Sequence, residues 1–358
     1  MSVDLRAGAS VADIGGRPVV LTYGNVASEY GALRARAVMF DRSHRGRLRL
    51  HGPKAVEMLN GLVSNDIASL APGHGCYAAA LSAKGKIVAD IRAFVDAEGV
   101  LTDAPPRAFA AWAAMVKKFV NPRLAKHSDE SATLRNIGIF GANARHAVES
   151  ALGVHASALS PLAEYSHLVV HRDGHAITVV RSPELGIEGF DLIFAADQLE
   201  GIWDGAVRAG ATPAGLEAWE IARIEAGRPE WGVDMDDNTI PQEANFDELH
   251  AISYTKGCYV GQETVARVHF RGHVNKHLRG ILADGGDPPP PFGATLHDGN
   301  GIQIGDVRSS VRSPRLGGVA LAMIRREIEP RTRLVARMDG AQPSEQKVTV
   351  TTLPFPAL

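Results

Sequence analysis

Cysteine is nearly absent: Cys76 and Cys258 are the two in 358 residues. That scarcity excludes a disulfide scaffold and any four-cysteine metal or cluster site built by one chain, and it fits a reducing compartment. An excess of charge of one sign is also lacking, since 38 Lys and Arg stand against 40 Asp and Glu. No global field therefore draws nucleic acid or an anionic membrane, and an anionic ligand has to be held by local charges. Long apolar runs are missing too. The start MSVDLRAGASVADIGG is acidic and has no basic stretch ahead of an apolar run, and no later segment reaches the length of a membrane span. The expectation is a cytoplasmic protein without nucleic-acid or membrane partners. What the chain does have is 45% hydrophobic residues, over a length that can bury a sizeable core shared by two or more units.

Short strand-like and helix-like runs alternate without a fixed period through the first half of the chain. ASEYGALRARAV (27–38) has helical spacing, GRLRLHG (46–52) alternates as a half-buried strand, and PKAVEMLNGLV (53–63) reads as a helix with Pro53 at its first position. YAAALSA (77–83) and KIVADIRAF (86–94) flank Lys84-Gly85 as a hairpin, and PPRAFAAWAAMVKKFV (105–120) is an amphipathic helix behind a proline pair. Near residue 275 the composition shifts toward Gly, Pro and short strand-like runs, among them LRGILA (278–283), RLVARM and QKVTVTTL. The class is α+β, with a first region over 1–275 and a C-terminal antiparallel β-barrel over 276–358. The prolines 288–291 are expected in a loop of that barrel.

TKGCYVGQETVARVHFRG (255–272) carries the most distinctive chemistry. Gly257 and Gly261 bracket Cys258, and a helix starting at Gln262 or Glu263 places the thiol just ahead of a helix N-terminus, with Lys256 adjacent. Both features favour a thiolate; a small buried hydrophobe is the alternative. Cys76, at the start of a strand with no charged neighbour in sequence, reads as packing. His269, His273 and His277 fall at helical spacing, but Gly272 interrupts them and no carboxylate completes a site, so no metal is expected.

KGCYVGQE (256–263) resembles the signature of the YgfZ family of folate-binding proteins, which support iron–sulfur cluster assembly and repair. The resemblance extends through RIEAGRPEWGVD (223–234), PQEANFDE (241–248) and RVHFRGHVNKHLRG (267–280). FDRSH (40–44), VSND (63–66) and KGKIVAD (84–90) look like the half shared with the glycine-cleavage T-protein, and IGDVRSSVRSPRLGGVALAMI (304–324) looks like the barrel common to both. The fold implied is that of the folate-binding aminomethyltransferases.

The resemblance implies tetrahydrofolate, or a one-carbon derivative, as ligand. Asp90 matches the T-protein aspartate beside the reactive folate nitrogen; its alternative is a carboxylate paired with Arg92. Asp191, in GIEGFDLIF (186–194), matches the carboxylate that grips the pterin, with Glu188 on the opposite strand face as the weaker choice. Arg223, Trp219, Lys256, Tyr259, Gln262 and Glu263 complete the expected folate contacts, and Cys258 with Asp90 forms the reactive pair. Three departures separate the chain from the T-protein pattern: Trp219 stands where an arginine is expected, Cys258 is extra, and the run LPFPAL is not followed by tyrosines. The leading expectation is an accessory protein for iron–sulfur proteins or their assembly factors. A tetrahydrofolate-dependent aminomethyl or one-carbon transferase and a non-catalytic scaffold are the rivals.

Overall fold

The computed structural model describes residues 9–154, 156–338 and 344–356; residues 1–8 of MSVDLRAGASVADIGG and the last two of LPFPAL lie outside them. The fold is α+β with a C-terminal antiparallel barrel. A five-stranded sheet runs in the order Gly75–Leu81, Ile87–Val95, Gly99–Ala104, Gly46–His51, Lys126–Asp129. Its first two strands form the expected hairpin, turned at Gly85, whose φ of +74° suits a residue without a side chain. The helix Pro106–Phe119 covers one face of this sheet by burying Ala108, Trp112, Met115 and Val116. Trp112 also donates from its indole to Thr102 Oγ1 at 3.0 Å, so burial of its N–H carries no penalty.

The other face meets a six-stranded sheet ordered His167–Arg172, His175–Arg181, Gly189–Ala195, Leu134–Phe140, Ala37–Asp41, Ala211–Pro213. Helices Ala144–Leu152 and Leu199–Arg208 cover that second sheet from outside. Between the sheets lie Tyr77, Ile87, Phe94 and Leu101 of the first against Tyr165, Val180 and Ile193 of the second.

Beside this apolar layer the same interface buries an ionic cluster. Arg92 donates to Asp103 of its own sheet at 3.1 and 2.8 Å and also to Asp191 of the other sheet. Arg42 holds both oxygens of Asp191 at 3.0 and 2.9 Å and pairs with Glu184 at 2.5 Å. Arg45 donates to Asp103 at 2.5 Å, and Arg47 lies 3.5 Å from it.

Two local expectations are corrected. The helix expected over 53–63 is Ala55–Asn60: Pro53 lies outside it, Gly61 ends it, and Val63 leaves to bridge Ala80 of the hairpin. The helix expected over 27–38 is Val26–Ala35, because Asn25 caps it by accepting from the Ser28 N–H at 2.8 Å, and Ala37–Asp41 follows as a strand.

The barrel closes as Lys276–Ala283, Gly317–Arg325, Gln303–Ser313, Thr295–His297, Arg333–Met338, Ser344–Thr351, the last strand pairing back with the first. Prolines 288–291 lie between its first strand and Thr295–His297. Ile281, Leu296, Val307, Leu334 and Val348 fill the interior. The helix Leu216–Glu225 docks the barrel on the rest of the chain: Arg223 reaches Asp234 at 2.7 Å and Ser309 at 2.9 Å, while Glu225 accepts from Tyr30 at 2.8 Å and Ser313 at 2.5 Å.

Asp103→Ala should lower stability by about 3–5 kcal/mol in chemical denaturation, because it strands buried guanidiniums without a counter-charge. Burial opposes ionisation of Asp103, but Arg45, Arg92 and Arg47 together hold its carboxyl well below the usual carboxylate range. Its contribution is therefore complete above the ordinary carboxyl value and is lost as pH falls below it. A variant as stable as the parent, with the same acid dependence, would contradict this role.

Candidate functional site

Asp90 lies in the middle of Ile87–Val95, opposite Ala79, and its side chain enters the space between the sheets. Tyr77, two residues before Ala79 on the neighbouring strand, donates its hydroxyl to Asp90 Oδ2 at 2.9 Å; Oδ1 is buried without a protein partner. Pairing with Arg92 is excluded, since that guanidinium is occupied by Asp103, Asp191 and Glu184. Burial pushes the Asp90 carboxyl up to about 6, against the pull of Arg45 and the Tyr77 hydroxyl. Asp90 lines a space of about 30 Å³ together with Tyr77, Tyr165, Arg228 and Glu184, enough for a water.

That space adjoins a cavity of about 200 Å³ lined by Phe40, His44, Pro106 and Ala214. Arg42, Arg45, Trp219 and Glu230 belong to both walls. Trp219 is fixed edge-on against Phe40 and Phe140, with ring centroids 5.2 and 5.3 Å away, and the Arg42 guanidinium lies 4.2 Å from its ring centre. The cavity wall thus combines an indole with a guanidinium stacked on its face. His44 is pushed down to about 3 by burial and by Arg45 and Arg42, so it meets the cavity as a neutral imidazole.

Asp90, Trp219 and Arg223 thus come together, and the other expected residues do not. Asp191 departs from its expected role. Its carboxylate is fully buried and clamped by Arg42 and Arg92, so it braces the sheets and has no face open to a pterin. Arg223 borders the smaller space, but its guanidinium is engaged by Glu220, Asp234 and Ser309. Glu188 points away to pair with Arg145 at 2.5 Å.

The cysteine motif lies apart from this cavity. Cys258 is exposed, four residues before the helix Gln262–Arg271. The expected activation by Lys256 is corrected: its ammonium turns inward to the carbonyls of Asn60, Val63 and Asn65 at 2.7, 2.8 and 2.5 Å. Burial brings that ammonium down to about 8, and its charge is felt by Cys76, which sequence alone left without a charged neighbour.

Tyr259 lies against the Lys256 ammonium at 5.1 Å, and Gln262 accepts the Tyr259 N–H at 3.1 Å, so both stiffen the loop; Glu263 is an exposed first-turn residue. Gly261, at φ +83°, sits where a side chain would meet Ser82 O at 2.5 Å, and Thr264 donates to Lys84 O at 3.1 Å. The motif therefore braces the hairpin whose second strand carries Asp90. His269 stacks on Tyr254 at 3.6 Å, the helix ends at Arg271, and His277 belongs to the barrel. Among the described residues no His, Cys, Asp and Glu cluster could hold a metal. Nor is any helix among them long and apolar enough to cross a membrane.

Sequence reasoning missed Tyr77, Tyr165, Arg228, Glu230, Arg42 and Arg45. Tyr77 adjoins Cys76, and Glu230 lies in RIEAGRPEWGVD, so the motifs contained the signal but not the three-dimensional neighbours.

A model of the GCVT N-terminal domain matches residues 2–253. An aminomethyltransferase of Rubrobacter xylanophilus is 30% identical over 325 residues, covering 90% of this chain and 85% of that one. This chain belongs to the GcvT-like aminomethyltransferase family. A second aminomethyltransferase, of Bordetella petrii, is 30% identical over 91% of this chain and 87% of that one. The crystal structure of glycine cleavage system aminomethyltransferase T from Bartonella henselae has the same fold, with a TM-score of 0.87 over 98% of this chain and 95% of that one, at 24% identity.

Brief treatment of the folded protein with iodoacetamide should alkylate Cys258 and spare Cys76, because Cys258 is exposed whereas burial pushes the Cys76 thiol up to about 12. Peptide mass spectrometry ranks the two. Faster labelling of Cys76 would show that the loop is not placed as described.

Proposed function

We propose that this aminomethyltransferase-family protein binds tetrahydrofolate, or a one-carbon derivative of it, as substrate and transfers a one-carbon unit beside Asp90. The observation that carries the reading is the buried Asp90 carboxyl, raised to about 6, with one oxygen unpaired, on the wall of a small cavity. A carboxyl there can take a proton from a folate N–H as the bond to carbon forms and return it in reverse, and its charge steadies positive charge developing on the one-carbon unit. Tyr77 fixes which oxygen does this, because it occupies the other. Trp219 replaces the arginine of the T-protein pattern, but Arg42 stacks on its ring and brings a guanidinium to the same wall. The cavity therefore keeps the cation that the substitution removed.

A second reading, support of iron–sulfur proteins or their assembly factors, rests on Cys258. The observation in its favour is that the thiol is exposed on a braced loop, open to a protein partner, and takes no part in the cavity. The two readings separate by mutation. Asp90→Asn should reduce folate-dependent one-carbon transfer by about 10²–10⁴-fold with little change in folding, the range for loss of general acid–base catalysis. Cys258→Ala should leave that turnover intact.

The acid limb of the wild-type rate profile should fall near pH 6, since the base works only when ionised. Transfer undiminished in Asp90→Asn would move the chemistry elsewhere. In a deletion strain, failure of Cys258→Ala to restore iron–sulfur enzymes, with transfer intact, would favour the second reading.

A further inference from the structure

The small space at Asp90 and the larger cavity share four side chains: Arg42, Arg45, Trp219 and Glu230. Two are guanidiniums and one is an indole, none of which exchanges a proton near neutrality. Glu230 can. Its backbone is anchored, since the N–H donates to Asp234 Oδ2 at 2.9 Å and Asp234 is held by Arg223 at 2.7 Å and by Ser309 at 2.6 Å. Among the described residues no protein group hydrogen-bonds the Glu230 carboxyl, which leaves it facing the two spaces.

We propose that Glu230 relays protons between Asp90 and the open cavity, a role that rests on the one-carbon transfer reading above. Asp90 returns the proton taken from the folate nitrogen to a water in the small space as that water gives one to the Glu230 carboxylate. Glu230 then releases it to water in the larger cavity, so the pair ends the cycle in its starting state.

The charged surroundings suit this traffic. Arg42 and Arg45 approach from the segment after Ala37–Asp41, Asp90 from Ile87–Val95, and Glu184 from the loop before Gly189–Ala195. Glu220 and Arg223 approach from Leu216–Glu225, with Arg228 on Glu230's own segment. On the outer side stand Asp41, His44 and Arg107. Burial pushes Glu230 up to about 7; Arg45 and Arg223 oppose this, while Asp90 and Glu220 add to it. Two neighbouring carboxyls therefore titrate close to neutrality, where both proton transfers are nearly isoenergetic.

The test compares wild type, Glu230→Gln and Glu230→Asp in the full chain, with tetrahydrofolate and an aminomethyl donor. Glu230→Gln should lower kcat by about tenfold or more, a part of the usual acid–base contribution, with KM for tetrahydrofolate unchanged. Glu230→Asp should recover part of the rate. Unchanged kcat, or an effect on KM alone, overturns the relay.

If wild type shows no transfer, the one-carbon reading fails. The relay is then judged by carbon NMR titration of the Glu230 carboxyl. A lower midpoint in Asp90→Asn is expected, because the ionised Asp90 is one of the groups that raise Glu230, and an identical midpoint overturns the proposal.

Discussion

The arginine cluster buried between the two sheets is the constraint on which the rest of the site depends. Four guanidiniums, those of Arg42, Arg45, Arg47 and Arg92, meet three carboxylates, Asp103, Glu184 and Asp191. Removing such charges from water is costly, and the arrangement persists because nearly every group has a partner within hydrogen-bond reach. Arg92 is the strut: it touches Asp103 on one sheet and Asp191 on the other, so the sheets cannot slide without breaking a charged contact. The apolar layer of Phe94, Leu101, Val180 and Ile193 drives the sheets together, and the ionic cluster fixes their register.

That register decides which acids remain free. Asp191 and Asp103 are committed to arginines, whereas Asp90 and Glu230 lie just beyond the guanidiniums and keep raised pKa values. A buried carboxyl close to its titration point can accept and return a proton within one cycle; one locked in an ion pair cannot. Phe40 and Phe140 fix Trp219 edge-on, and Arg42 stacks on its ring, so that the cavity wall joins an indole to a cation. The barrel contributes from a distance: through Ser309 and Asp234 it anchors the segment that carries Glu230.

Much of the architecture was legible in the sequence because it is written locally. The Lys84-Gly85 turn, the amphipathic spacing of 105–120 and the Gly- and Pro-rich strands after 275 each follow from periodicity and turn chemistry. The KGKIVAD motif pointed to Asp90, and the structure places it buried between the sheets. Asp191 was misassigned, because a strand pattern shows which face a residue takes but not that Arg42, 149 positions earlier, will occupy its carboxylate. Lys256 misled for the same reason: it is adjacent to Cys258 in sequence, yet three carbonyls from the segment 60–65 draw its ammonium the other way. Glu230 lay inside the RIEAGRPEWGVD motif, but the two cavities it borders meet only in the folded chain.

The central claim is that a reduced folate occupies the cavity walled by Trp219 and Arg42 and reaches Asp90. Calorimetric titration of the full chain with tetrahydrofolate, repeated on Trp219→Ala after thermal melting has shown that variant to be folded, tests it directly. One equivalent of heat for wild type, with affinity reduced by about 0.5–1.5 kcal/mol or more in the variant through lost ring contact, is the predicted result. No heat from folded wild type, or equal affinity in the variant, would contradict the account.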